Sequence, residues 1–162
     1  MQQNLRIGFF VAFVFIFSSC SLLESGEVRD LSEQRTKEKL EKLISGEVGD
    51  VLGVSHSRLK DATAYVVGRS EPDVEKVDEV KEGTYVATVN FKVLAKNLRM
   101  HVWSVLSKVP ASKAEKFNFA DAIQLVLKER SDLQEYENHI IKFQFIKNDD
   151  SWSSEEIYST IR

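Results

Sequence analysis

The chain reads as a single α+β domain, with N-terminal helices, a mainly antiparallel sheet and a helical pair inserted between its strands. Three stretches carry that reading. Residues 84–94 alternate strictly: Tyr85, Ala87, Val89, Phe91 and Val93 fall on one face and Thr84, Thr88, Asn90 and Lys92 on the other, the period of a half-buried strand. Leu94, Leu98, Val102, Val105, Leu106 and Val109 then keep helical spacing until Pro110 stops the run. From His139 onward Ile141, Phe143 and Phe145 share a face, Asn148-Asp149-Asp150-Ser151 supplies a turn, and Trp152 to Ile161 returns as a second strand.

The remaining elements follow in order. Asp30, with Glu33 three residues on, makes a helix start, and the helix is expected to run through Leu40, Leu43 and Ile44 to a stop at Gly46. Ser32 to Lys39 has no large apolar residue, which predicts a surface helix with a narrow apolar stripe. Residues 50–70 allow either a helix or a strand over Thr63 to Val67. Val74, Val77 and Val80 lead into Lys81-Glu82-Gly83, a hairpin turn, although their spacing of three also allows a short helix over 73–82. Asn118 is placed to cap a helix with Asp121 at its third position, and Phe119, Ala122, Ile123, Val126 and Leu127 give that helix its stripe.

Composition bounds the partners. At 162 residues with 43% hydrophobic content, there is material for one sizeable core and not for two. The 22 Lys+Arg and 25 Asp+Glu are interspersed without a block of one sign, so the basic stripe of a nucleic-acid binder is missing and no such partner is expected.

The N-terminus has its own logic. Residues 1–6 are polar and end in Arg6; Ile7 to Phe17 are eleven residues without a charge; Ser18-Ser19-Cys20 follow. A positive start, a short apolar stretch and small residues at the cleavage point describe a secretory signal peptide over 1–19. Crossing the hydrocarbon core takes about 20 apolar residues, so this stretch is too short to favour a permanent span. Ile16-Phe17-Ser18-Ser19-Cys20 resembles the lipobox of bacterial lipoproteins, with Phe17 where the family prefers Leu. The resemblance implies cleavage between Ser19 and Cys20, a diacylglycerol on the Cys20 sulfur and an acyl chain on its amine, with no other cofactor. The competing reading is secretion with cleavage after Ser21 and no lipid. Ser21, not Asp, follows the cysteine, which implies the outer membrane in a cell with two membranes and the outer face of the cytoplasmic membrane otherwise. Residues 20–29 are then expected to form a lipidated tether, its nine residues after the cysteine reaching about 30 Å when extended, and 30–162 the folded domain.

The order of elements resembles the cone-shaped NTF2-like or cystatin-like arrangement, and Phe143 to Trp152 resembles the closing hairpin of small bacterial lipoproteins. That resemblance implies a pocket between sheet and helices, for which Tyr85, Phe91, His101, Trp103, Phe143 and Phe145 are the candidate lining; the competing reading is that they fill the core. His56, His101 and His139 match no metal spacing, and no metal is expected. Gly53-Val54-Ser55-His56-Ser57 misses the nucleophile elbow, because Ser57 stands where that sharp turn needs glycine; Ser55 or Ser57 is read as a helix cap. The expected function is that of a non-catalytic binding or interaction domain held at the cell envelope, facing an envelope protein or a small ligand. The alternatives are a small enzyme or ligand carrier with an apolar cavity, and a structural subunit of an envelope assembly.

Overall fold

The computed structural model of the chain describes residues 3–49, 55–110, 113 and 116–161, with the side chains of the first helix described from 22 to 47. Among them are four helices, α1 (Gln3–Gly49), α2 (His56–Arg69), α3 (Lys96–Lys108) and α4 (Phe119–Glu129), and four strands, β1 (Asp73–Lys81), β2 (Thr84–Leu94), β3 (Tyr136–Asn148) and β4 (Ser151–Ile161). The strands form one antiparallel sheet in the order β1-β2-β3-β4, with α3 and α4 inserted between β2 and β3. The α+β class stands.

The alternation in 84–94 explains how the sheet is loaded. Tyr85, Ala87, Val89, Phe91 and Val93 of β2 and Ile141, Phe143 and Phe145 of β3 are buried beneath the helices. On the opposite face the paired positions Thr88 and Lys142, and Val86 and Gln144, present a largely polar surface.

Two sequence expectations about α1 do not hold. The helix does not begin at Asp30: it is already formed well before it, so the tether is helical, and it runs three residues past Gly46. Nor is its middle a surface segment. Val28, Ser32, Thr36, Leu40 and Ile44 are all buried, spaced by four. The hydroxyls of Ser32 and Thr36 tolerate this because they donate to the carbonyls four residues back, Val28 O at 2.6 Å and Ser32 O at 2.8 Å. Small side chains bring the helix axis close to the sheet, which a search for large apolar residues overlooks. A spacing of four drifts about 40° around the helix per step, so the stripe winds, and α1 touches β1, β2, β3 and α2 in turn.

The ambiguous stretches resolve for local reasons. In 50–70 the described part is helix α2, capped by the Ser55 hydroxyl on the Arg58 amide; Val51, Leu52 and Val54 lie outside the described residues. In 73–82 the chain is strand, and the valine spacing of three comes from a register shift between Val74 and Lys76. One extra residue lets Val74 and Val77 both face inward, opposite Val89 and Ala87. Gly83, at φ +67°, closes the first hairpin and Asp149, at φ +47°, turns the second.

The inserted helices are joined to α2 by polar contacts at helix ends. Asn118 and Asp121 form the reciprocal cap that their spacing predicts. Asp61 of α2 accepts from the Phe119 amide at 2.8 Å, and the buried Arg58 donates to Leu106 O and Val109 O at the C-terminal end of α3. Between these helices Trp103 is fully buried, its ring 5.1 Å from that of Phe119. Trp103→Ala is expected to cost about 3–5 kcal/mol, the loss of a large buried aromatic, read as a lower urea midpoint with unchanged slope.

Candidate functional site at the head of the first helix

The stretch expected to be a free tether carries the densest set of long-range polar contacts on α1. Glu24 accepts from the Tyr85 hydroxyl of β2 at 2.6 Å and from Lys147 Nζ of β3 at 2.5 Å. One turn on, Glu27 accepts from the Trp152 indole of β4 at 3.1 Å, and Arg29 donates to Val74 O of β1 at 2.6 Å. Three residues of the helix thus reach all four strands. The rings reinforce the cluster: Tyr85 and Trp152 meet edge to face with centroids 5.6 Å apart, and the Lys147 ammonium lies 5.7 Å from the Trp152 centroid. Val28 seals the cluster from the helix side, fully buried. Glu24, six residues before Asp30, thus already packs on the sheet.

The electrostatics favour one protonation state. The hydrogen bond from Lys147, then that from Tyr85, holds the Glu24 carboxyl below its ordinary value. Burial, then the Glu24 carboxylate, pushes the Tyr85 phenol well above its ordinary value. Glu24's contribution to stability is complete above its unfolded value near 4.5 and is lost as pH falls through its lowered folded value. Tyr85's is complete below 10 and is lost only as pH rises through its raised value.

The far end of α1 is fixed by a second carboxylate. Glu47 takes a forked pair of bonds from Arg99 of α3, Nη2 to Oε1 at 2.7 Å and Nε to Oε2 at 2.9 Å, and Arg99 Nη1 also donates to Leu94 O. Both side chains are largely buried, 4% exposed for Arg99 and 12% for Glu47.

Backbone continuity puts Ser19 and Cys20 in the helical turn just before Glu24; their side chains lie outside the described ones. The six candidate pocket residues have different neighbours. Tyr85 belongs to the cluster above, Trp103 packs on Phe119, and Phe143 and Phe145 lie 6.1 Å apart on the inner sheet face. Phe91 stacks on His139 at 5.3 Å and borders a shallow hollow of about 320 Å³ with Glu71, Asp73 and Glu75. Burial pushes the His139 imidazole down, against the opposing pull of Glu137 3.6 Å away. His101 is half-buried, its Nδ1 2.8 Å from Asn97 O and its Nε2 3.1 Å from Arg130.

Among the described residues no group of His, Cys, Asp and Glu is arranged to hold a metal ion, and no helix is long and apolar enough to cross a membrane. No protein-family model, curated protein or solved structure matches the chain.

Sequence reasoning missed Glu24, Glu27, Arg29 and Lys147. The signal available was the spacing of Glu24, Glu27, Val28 and Leu31, which keeps one helix face across Gly26; taking Asp30 and Glu33 as the helix start hid it. Glu24→Gln is expected to cost about 1 kcal/mol at pH 7, the scale of one partly shielded charged hydrogen bond. In urea unfolding that difference from the unaltered protein should shrink below pH 4.5; an equal difference at both pH values would contradict the role given to the carboxylate. Glu47→Ala, which strands a buried guanidinium, should cost about 3–5 kcal/mol in the same assay.

Proposed function

We propose that the protein is a lipid-anchored component of the bacterial cell envelope, cleaved between Ser19 and Cys20 and acylated on Cys20, whose domain acts by non-catalytic binding. The observation that carries this reading is a lone cysteine directly behind a short uncharged stretch, Ile7 to Phe17, with a positive residue before it and small residues at the junction. Two or more acyl chains hold a protein stably, at about 0.8 kcal/mol per buried methylene. The docked helix supports the reading, because it turns the residues after Cys20 into part of the domain and leaves the cysteine as the point from which that domain hangs. Ser21 favours the outer membrane where the cell has two. For the fold family we propose the NTF2-like or cystatin-like cone, supported by a long N-terminal helix laid along the inner face of a four-stranded antiparallel meander.

An interaction module is favoured over a cavity enzyme because the aromatic candidates Tyr85, Trp103 and Phe145 are buried against neighbours. A covered interior leaves the surface as the place where a partner is met. In cells that process lipoproteins, the unaltered protein should carry a diacylglycerol and acyl mass on a chain starting at residue 20 and sediment with membranes. Cys20→Ser should lose both. A mature chain starting after residue 20, or one carrying its first nineteen residues and no lipid, overturns the proposal.

A further inference from the structure

One end of the sheet gathers features that nothing inside the domain explains. The two hairpin turns, Glu82-Gly83 and Asp149-Asp150, both lie there: Thr84 pairs with Ile146, and the Lys147 amide donates to Gly83 O at 2.8 Å. The part of α1 around Glu24 arrives at the same end through its bonds to Tyr85 and Lys147. The helix then runs alongside β4 in the same direction. Glu27 meets Trp152 near the start of β4, and Lys39 meets Glu156 at 2.6 Å and Ser159 at 3.3 Å further along it.

Heights can therefore be compared along one direction. Cys20 precedes Glu24 by one helical turn, about 6 Å. Gly83 lies two strand residues beyond Tyr85, about 7 Å. The turn tips and the cysteine backbone stand at nearly the same level. At this level the surface is apolar where a folded domain usually avoids it. Leu22 is 72% exposed, Leu23 70% and Val80 59%, three of the four most exposed large apolar side chains among the described residues, and Ile146 adds a fourth. The fourth of the most exposed, Ile161, pairs with His139 at the opposite end.

We propose that this end of the domain is a bilayer-contacting surface. The inference rests on the anchoring reading above. Acyl chains on Cys20 bring the turns to headgroup level, α1 and the strands stand upright, and Leu22, Leu23, Val80 and Ile146 enter the interface. The charge at the tips selects the lipid. Glu82, Asp149 and Asp150 are exposed there beside the exposed Lys81 and Lys147, and Lys147 is held by Glu24, so acidic groups outnumber basic ones, zwitterionic headgroups fit and anionic ones are repelled. The domain's opposite end, with Asn138 and the hollow beside Phe91, faces away from the membrane.

The test uses the lipidated full chain in phosphatidylethanolamine and phosphatidylcholine vesicles. Its one cysteine is consumed by the thioether, so spin labels go selectively onto Glu82→Cys, Asp150→Cys and, at the far end, Asn138→Cys. Broadening by nickel chelated to headgroups should be severalfold stronger at 82 and 150 than at 138. It should fall at 82 when Leu22, Leu23 and Val80 are changed together to Ser, with the lipid mass unchanged, and fall again when phosphatidylglycerol is added. Equal broadening at the three positions on a protein that carries its lipid and floats with the vesicles overturns the proposed orientation and leaves the anchor standing; stronger broadening with phosphatidylglycerol overturns the charge argument. A protein with no lipid mass that stays in the supernatant overturns the anchor itself, and the orientation with it.

Discussion

Two carboxylates tie the second half of α1 to the rest of the protein: Glu24, near the middle of the helix, to Tyr85 and Lys147, and Glu47, near its end, to Arg99. About 35 Å of helix lies between them. Everything packed on the inner sheet face depends on this placement, because α1 lies on the sheet while also supporting α2, which in turn meets α4. The two pins differ in kind. The Glu47–Arg99 pair is nearly dry and forked, so it fixes direction as well as distance. The Glu24 cluster is partly wet and spread over several strands.

Between the pins, packing is made by small residues. Ser32 and Thr36 return their hydroxyls to their own helix, which removes the cost of burying them and leaves only their methyl and methylene surface facing the sheet. This is why α1 sits under the sheet without a leucine-rich face.

How much of this was legible in the sequence depended on whether local pattern and tertiary packing agreed. In β2 and β3 they agree: the alternation through Tyr85 to Val93 and Ile141 to Phe145 predicts the buried face residue by residue. The Asn118–Asp121 cap and the Ser55 cap were legible for the same reason, since a capping side chain bonds within its own turn. In β1 the pattern was scrambled by an extra residue between Val74 and Lys76, which no count of periodicity can separate from a helical turn. In α1 the local pattern was misleading: Ser25-Gly26 weakens the helix by propensity, and only contacts with Val74, Tyr85, Lys147 and Trp152, distant in sequence, overrule it. The structural surroundings of the helix just after position 20 were not legible, because they are made by residues more than sixty positions away.

The docked α1 has a mechanical consequence. A pull delivered just before Glu24 runs nearly along the helix axis and nearly along β4, since Glu27 and Lys39 find their β4 partners in order down that line. Loaded this way, the contacts are sheared together rather than peeled apart one by one, so the force is shared among Glu24, Arg29, the buried Val28-to-Ile44 stripe and Glu47. A tug from outside would meet the resistance of the whole helix–sheet seam at once, and the domain would behave as a stiff post rather than as a ball on a string.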